Sequence, residues 1–168
     1  MNRGADGTFL PDEAVVLRMC YASRYAKDLS IESGSGALAI AFSAVFVLST
    51  EDKTQTPPHL SVYESSLTTP EQARELTGGD KNLVLLLPVD SVRDLKNPNF
   101  PEHVLNVSWF QAFVLSEDKY VPDTRIGSEG HCGITGLKRP PAMPRLYWKW
   151  FRVKLADIAI AKGILRLS

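Results

Sequence analysis

The run Asn82-Leu83-Val84-Leu85-Leu86-Leu87-Pro88 constrains this chain more than any other segment. It is continuously apolar, has the length of a strand and stops at a proline. A strand of that kind is covered on both faces, so the fold must place a layer of structure on each side of it. With 168 residues, 44% of them hydrophobic, the chain can enclose one such core and is too short for two ordinary domains. The expected architecture is α+β: a single globular domain over 11–168 behind a flexible N-terminus of residues 1–10. Its mixed β-sheet would be covered by about three helices, the last of them long.

Local signals place the other elements. Thr69-Pro70-Glu71-Gln72 combines a capping threonine, proline at the first helical position and glutamine three residues after the cap, and Gly78-Gly79 follows. This predicts a helix at 70–77. Pro11-Asp12-Glu13 ahead of Ala14, Val15, Leu17 and Met19 predicts a helix near 12–26. Ser33–Gly36 reads as a loop, Ala37–Leu48 as a buried segment of open type, and Ser49–Pro58 as a surface loop. Strands are expected near 60–63, 83–87, 104–115 and 131–135, with a helical turn at 90–95 and a loop over 116–130. Pro140, Pro141 and Pro144 hold the chain extended before a helix from Arg145 to Lys162. On that helix Tyr147, Trp150, Phe151, Leu155 and Ile158 form an apolar face, with Arg145, Lys149 and Arg152 together opposite it. Lys154 falls in the apolar arc, so it must reach outward or pair with Asp157.

A net charge of zero hides an asymmetry. Residues 1–137 carry 11 Lys+Arg against 18 Asp+Glu, whereas residues 138–168 carry 8 Lys+Arg against Asp157 alone. The basic end either docks on the acidic body or meets an anionic partner. Lys138, Arg139, Arg145, Lys149 and Arg152, with Trp148 beside them, are the candidate partner-binding residues. The arginines suit carboxylate or phosphate, and Trp148 serves as an apolar anchor. The expected partner is an acidic protein, with nucleic acid as the alternative because cations and aromatics also line single-strand grooves. A second copy of the chain is also open as a partner. The plainer reading of the same pattern is a core helix with a solvated basic face.

Catalytic signals are sparser. Cys132 in His131-Cys132-Gly133-Ile134-Thr135 is a candidate nucleophile, but adjacent strand residues point to opposite faces, which argues against a dyad with His131. His59 and Tyr63, with Glu64 next to Tyr63, resemble the His, Tyr and Glu of ADP-ribosyltransferase sites. In that family the three lie on separate elements, whereas here they fall within one short segment. Cys20 and Cys132 are too few and too distant for a disulfide framework, which predicts a reducing, cytoplasmic setting. His59, His103 and His131 are isolated, so no metal site is expected, and no cofactor motif is present. The first residues carry no secretory pattern, and no apolar run approaches the roughly 20 residues of a membrane span.

Val121-Pro122-Asp123 followed by His131-Cys132-Gly133-Ile134-Thr135-Gly136-Leu137 resembles a segment of small uncharacterised bacterial proteins. In those a Val-Pro-Asp loop precedes a His-Ala-x-Ile-x-Gly-Leu strand and a C-terminal helix. The resemblance covers about one third of the chain, and Cys132 stands where that pattern usually has alanine, which favours a packing role. It implies a bacterial accessory component of a multicomponent system, of a defence or toxin-related kind, and supplies no catalytic residue.

Overall fold

The computed structural model describes residues 1–21 and 37–168. A six-stranded sheet has the order β4-β7-β2-β1-β3-β8, formed by Asn106–Trp109, His131–Thr135, His59–Glu64, Val15–Cys20, Leu83–Pro88 and Leu165–Arg166 respectively. Phe113–Ser116 (β5) and Lys119–Pro122 (β6) form a separate two-stranded hairpin. The helices are α1 (Ala37–Phe42), α2 (Thr50–Thr54), α3 (Pro70–Leu76), α4 (Val89–Arg93) and α5 (Arg145–Lys162), with a 3-10 turn at Ser43–Phe46. The α+β class is as expected, but every strand pairing is antiparallel, so the sheet is not mixed. Only the β1–β2 and β4–β7 connections join sheet neighbours, whereas β2–β3, β3–β4 and β7–β8 link strands that are not adjacent in the order. The antiparallel pairing is therefore set by long-range contacts among the described residues.

The apolar run is β3, sandwiched as its composition requires: Leu83, Val84, Leu85 and Leu87 are all fully buried. Leu83, Leu85 and Leu87 join the main core beneath α5, while Val84 packs on the other face with Leu17, Met19, Tyr63 and Ala73 of α3. Phe151, Leu155, Ala156 and Ala159 close the main core from α5, each large side chain contributing about 1.5–3 kcal/mol of burial. Lys154 does pair with Asp157, at 3.9 Å. The capping box of α3 forms as read, with Gln72 N–H donating to Thr69 Oγ1 and Thr69 N–H to Gln72 Oε1.

Four expectations are corrected. The helix near 12–26 is strand β1 over Val15–Cys20, and residues 22–26 of that range, with the Ser33–Gly36 loop, lie outside the described residues. Apolar residues at nearly every position satisfy a strand buried on both faces as well as a helix, and pairing with β2 and β3 decides between them. Asp12 accepts from Arg93 of α4 instead of opening a helix. The long strand at 104–115 is broken: β4 ends at Trp109, and β5 pairs instead with β6, inside what was read as a loop. Glu117 and Asp118, both at positive φ, make the two-residue turn that this hairpin needs. Within the expected 49–58 loop, Ser49 and Asp52 build a capping box for α2.

The first ten residues, read as a flexible start, run beside β4. Leu10 N–H donates to Val107 O at 3.0 Å, Trp109 N–H to Thr8 O at 2.9 Å and Gly7 N–H to Trp109 O at 2.7 Å. Among the described residues, no helix is long and apolar enough to cross a membrane.

Candidate functional site

Arg145, Lys149 and Arg152 recur at helical spacing along α5, and Lys138 and Arg139 belong to the segment leading into it. The fold gathers these five cations with Trp148 and Leu146 around one concavity of about 600 Å³. Lys53, projecting from α2, completes the ring. All six sequence-derived candidates therefore share one pocket, and Lys53 is the addition that sequence reasoning missed. Its signal is absent from the local sequence because α2 lies more than eighty residues upstream. Among the described residues, none of these six cations forms a salt bridge; the ion pairs present involve Arg3, Arg93, Arg125 and Lys154.

The pocket wall is preorganised. Trp148 Nε1 donates to Leu137 O at 2.7 Å, and the Arg152 guanidinium lies over the Trp148 ring at 4.4 Å. Arg139 Nη1 donates to Met143 O at 2.9 Å, which holds the turn before α5. Arg152 Nε is buried with no hydrogen-bond partner, and burial pushes the guanidinium below its ordinary pKa. A buried donor of this kind gains from any acceptor that enters. Trp150 is engaged elsewhere, with Lys154 over its ring and its edge against Phe151.

The catalytic candidates separate. Alternation along β7 places Cys132 in the main core, fully buried, with its Sγ donating to Gly130 O at 3.0 Å. Burial pushes its thiol far up, so the nucleophilic thiolate is disfavoured. His131 faces the other way. There it meets His59 and Tyr63 of β2, with ring centroids 6.1 Å and 5.5 Å away. His59 stacks on Phe110 at 4.1 Å and its Nδ1 donates to Pro57 O at 2.9 Å. Tyr63 is buried and its phenol is pushed up to about 12, chiefly by that burial. Glu64 takes the opposite face of β2, where its carboxylate accepts from Ser66 N and Oγ at 3.0 and 2.5 Å. The His, Tyr and Glu of the ADP-ribosyltransferase pattern therefore do not converge.

Among the described residues, no group of three or more His, Cys, Asp or Glu is placed to hold a metal ion. No family model, curated protein or solved structure matches the chain, so any functional reading rests on the geometry just described.

Proposed function

We propose that the chain is an accessory interaction module whose basic pocket receives an acidic segment of a protein partner. The observation that carries this reading is one concavity ringed by Lys53, Lys138, Arg139, Arg145, Lys149 and Arg152 with, among the described residues, no carboxylate in its lining. Uncompensated cations in a concave wall focus positive potential and draw in anions. Leu146 stands exposed at the same site and offers an apolar contact among the charges.

Nucleic acid is the competing partner, and the aromatic residues favour protein over it. Base stacking needs a free ring, whereas Trp148 is occupied by Arg152 and Leu137, and Trp150 by Lys154 and Phe151. Carboxylates need only the guanidinium and ammonium groups.

The test is fluorescence anisotropy with two labelled probes, a short Asp/Glu-rich peptide carrying one leucine and a short single-stranded oligonucleotide. The expected result is salt-sensitive binding of the peptide, weakened about tenfold or more by Arg145→Glu with Lys149→Glu, both exposed positions. Tighter binding of the oligonucleotide, with log affinity falling linearly in log salt, would replace the protein reading by nucleic-acid binding. Failure to bind either probe would overturn both.

A further inference from the structure

On the far side of α2 lies a second cavity, of about 410 Å³, that the basic pocket does not use. Ser61 and His131 both line it. Ser61 Oγ stands 3.2 Å from His131 Nε2, and His131 Nδ1 stands 2.8 Å from the carbonyl oxygen of Phe110. A carbonyl only accepts, so Nδ1 carries the proton and Nε2 presents its lone pair to the Ser61 hydroxyl. Burial pushes His131 down to about 4, which keeps the imidazole in its neutral form near neutrality. Hydroxyl, imidazole and orienting acceptor thus stand in the order of an activated serine, with a backbone carbonyl in the place usually held by a carboxylate.

The cavity also defines a substrate class. Phe113 and Tyr120 of the hairpin form an aromatic wall, and Glu51 and Asp52 of α2 lie at its edge. Among the described residues no lysine or arginine lines it, and the Glu51 and Asp52 carboxylates disfavour anions there while admitting neutral and cationic molecules. Its volume suits a small molecule.

We propose that Ser61, activated by His131, is the nucleophile of an acyl-transfer site for small uncharged or cationic esters. Ser61 Oγ bonds to the ester carbonyl carbon as its proton passes to His131 Nε2. The carbon–oxygen bond to the leaving alcohol then breaks, and the alcohol takes that proton, which leaves Ser61 acylated. Water attacks the acyl carbon and gives a proton to Nε2. The bond to Oγ breaks, Ser61 recovers the proton, and a carboxylic acid departs. Among the described residues lining the cavity, the Gln55 and Gln111 amides and the Tyr120 hydroxyl carry donors for the carbonyl oxygen, with one N–H of Gln111 Nε2 already on Ala112 O at 3.2 Å.

The experiment treats the folded protein with an uncharged alkyl fluorophosphonate and maps the adduct by peptide mass spectrometry, alongside hydrolysis of p-nitrophenyl acetate. The expected result is one adduct, on Ser61, which is lost when the protein is unfolded before treatment. Ser61→Ala abolishes both signals, and His131→Gln slows labelling about 100-fold. Because His131 is buried, the wild-type pH profile supplies a readout that needs no variant: labelling stays level near neutrality and falls as the pH approaches about 4. No adduct on Ser61 in the folded wild type, or hydrolysis undiminished in Ser61→Ala, would overturn the proposal. So would a labelling rate unchanged in a folded His131→Gln protein.

Discussion

The imidazole of His59 lies so close over Gly133 that a Cβ on that glycine would stand 2.4 Å from the ring Cδ2. Gly133 pairs with Ser61 across the β2–β7 ladder, and its missing side chain is the space that the ring occupies. The Ser61–His131 site depends on such details of strand register.

Gly133→Ala is expected to displace His59 from its stack on Phe110 and to cost about 1–3 kcal/mol, the range of an overpacked interior. Urea denaturation gives the cost. The His59 ring proton shifts report the displacement, and unchanged shifts would show that the ring is not held by this contact.

Stability should fall in mild acid. His131 titrates near 6.5 when unfolded and near about 4 when folded, so between those values the unfolded chain binds more protons. Its contribution is complete above 6.5 and is lost as the pH drops toward 4, on the order of 3 kcal/mol. Burial lowers His59 too, which adds in the same direction. Asp123, held below its ordinary value chiefly by its hydrogen bond from Arg125, extends the loss to lower pH. Urea midpoints across this range measure the slope, and His131→Phe should flatten it.

Arg93 ties the first residues to the sheet. Its guanidinium donates to Asp12 Oδ1 and Asn106 Oδ1, each at 2.7 Å, and to the Leu10 carbonyl, and it lies 5.6 Å from the Phe9 ring. Arg93→Ala is expected to cost about 2–4 kcal/mol and to speed amide exchange at Gly7, Leu10 and Trp109. Asp12→Asn should cost under about 1 kcal/mol, because the Asp12 side chain is 74% exposed.

Arg152→Met should keep the packing against Trp148 while removing the unpaired buried Nε donor. The expected outcome is a melting temperature within a few degrees of wild type, together with loss of acidic-peptide binding. Full retention of binding would show that Arg152 does not contact the partner.

Cys132 should resist alkylation until the protein unfolds, since it is fully buried and its thiol is pushed up. Cys20, also buried and pushed up to about 12, should behave alike. Intact-mass analysis with iodoacetamide distinguishes the two states. Rapid modification of Cys132 in the folded protein would restore a thiol nucleophile as a candidate.

Elements specified by neighbouring residues were legible in the sequence: β3 from its apolar run, α3 from its capping box, and α5 from its periodicity and the prolines before it. The basic pocket was legible for the same reason, because five of its six cations fall within residues 138–152. What distant segments decide was not. Val15–Cys20 is a strand because β2 and β3 flank it, and the chain leaves the sheet after Trp109 although its alternation continues. Lys53 reaches the pocket only through the placement of α2. Ser61 and His131 stand seventy residues apart and meet because Tyr63 pairs with His131 and Ser61 with Gly133. Helical spacing, caps and apolar runs act over a few residues, within reach of a sequence reading. Strand register is set by competition among long-range pairings, which a single sequence does not express and the folded structure resolves.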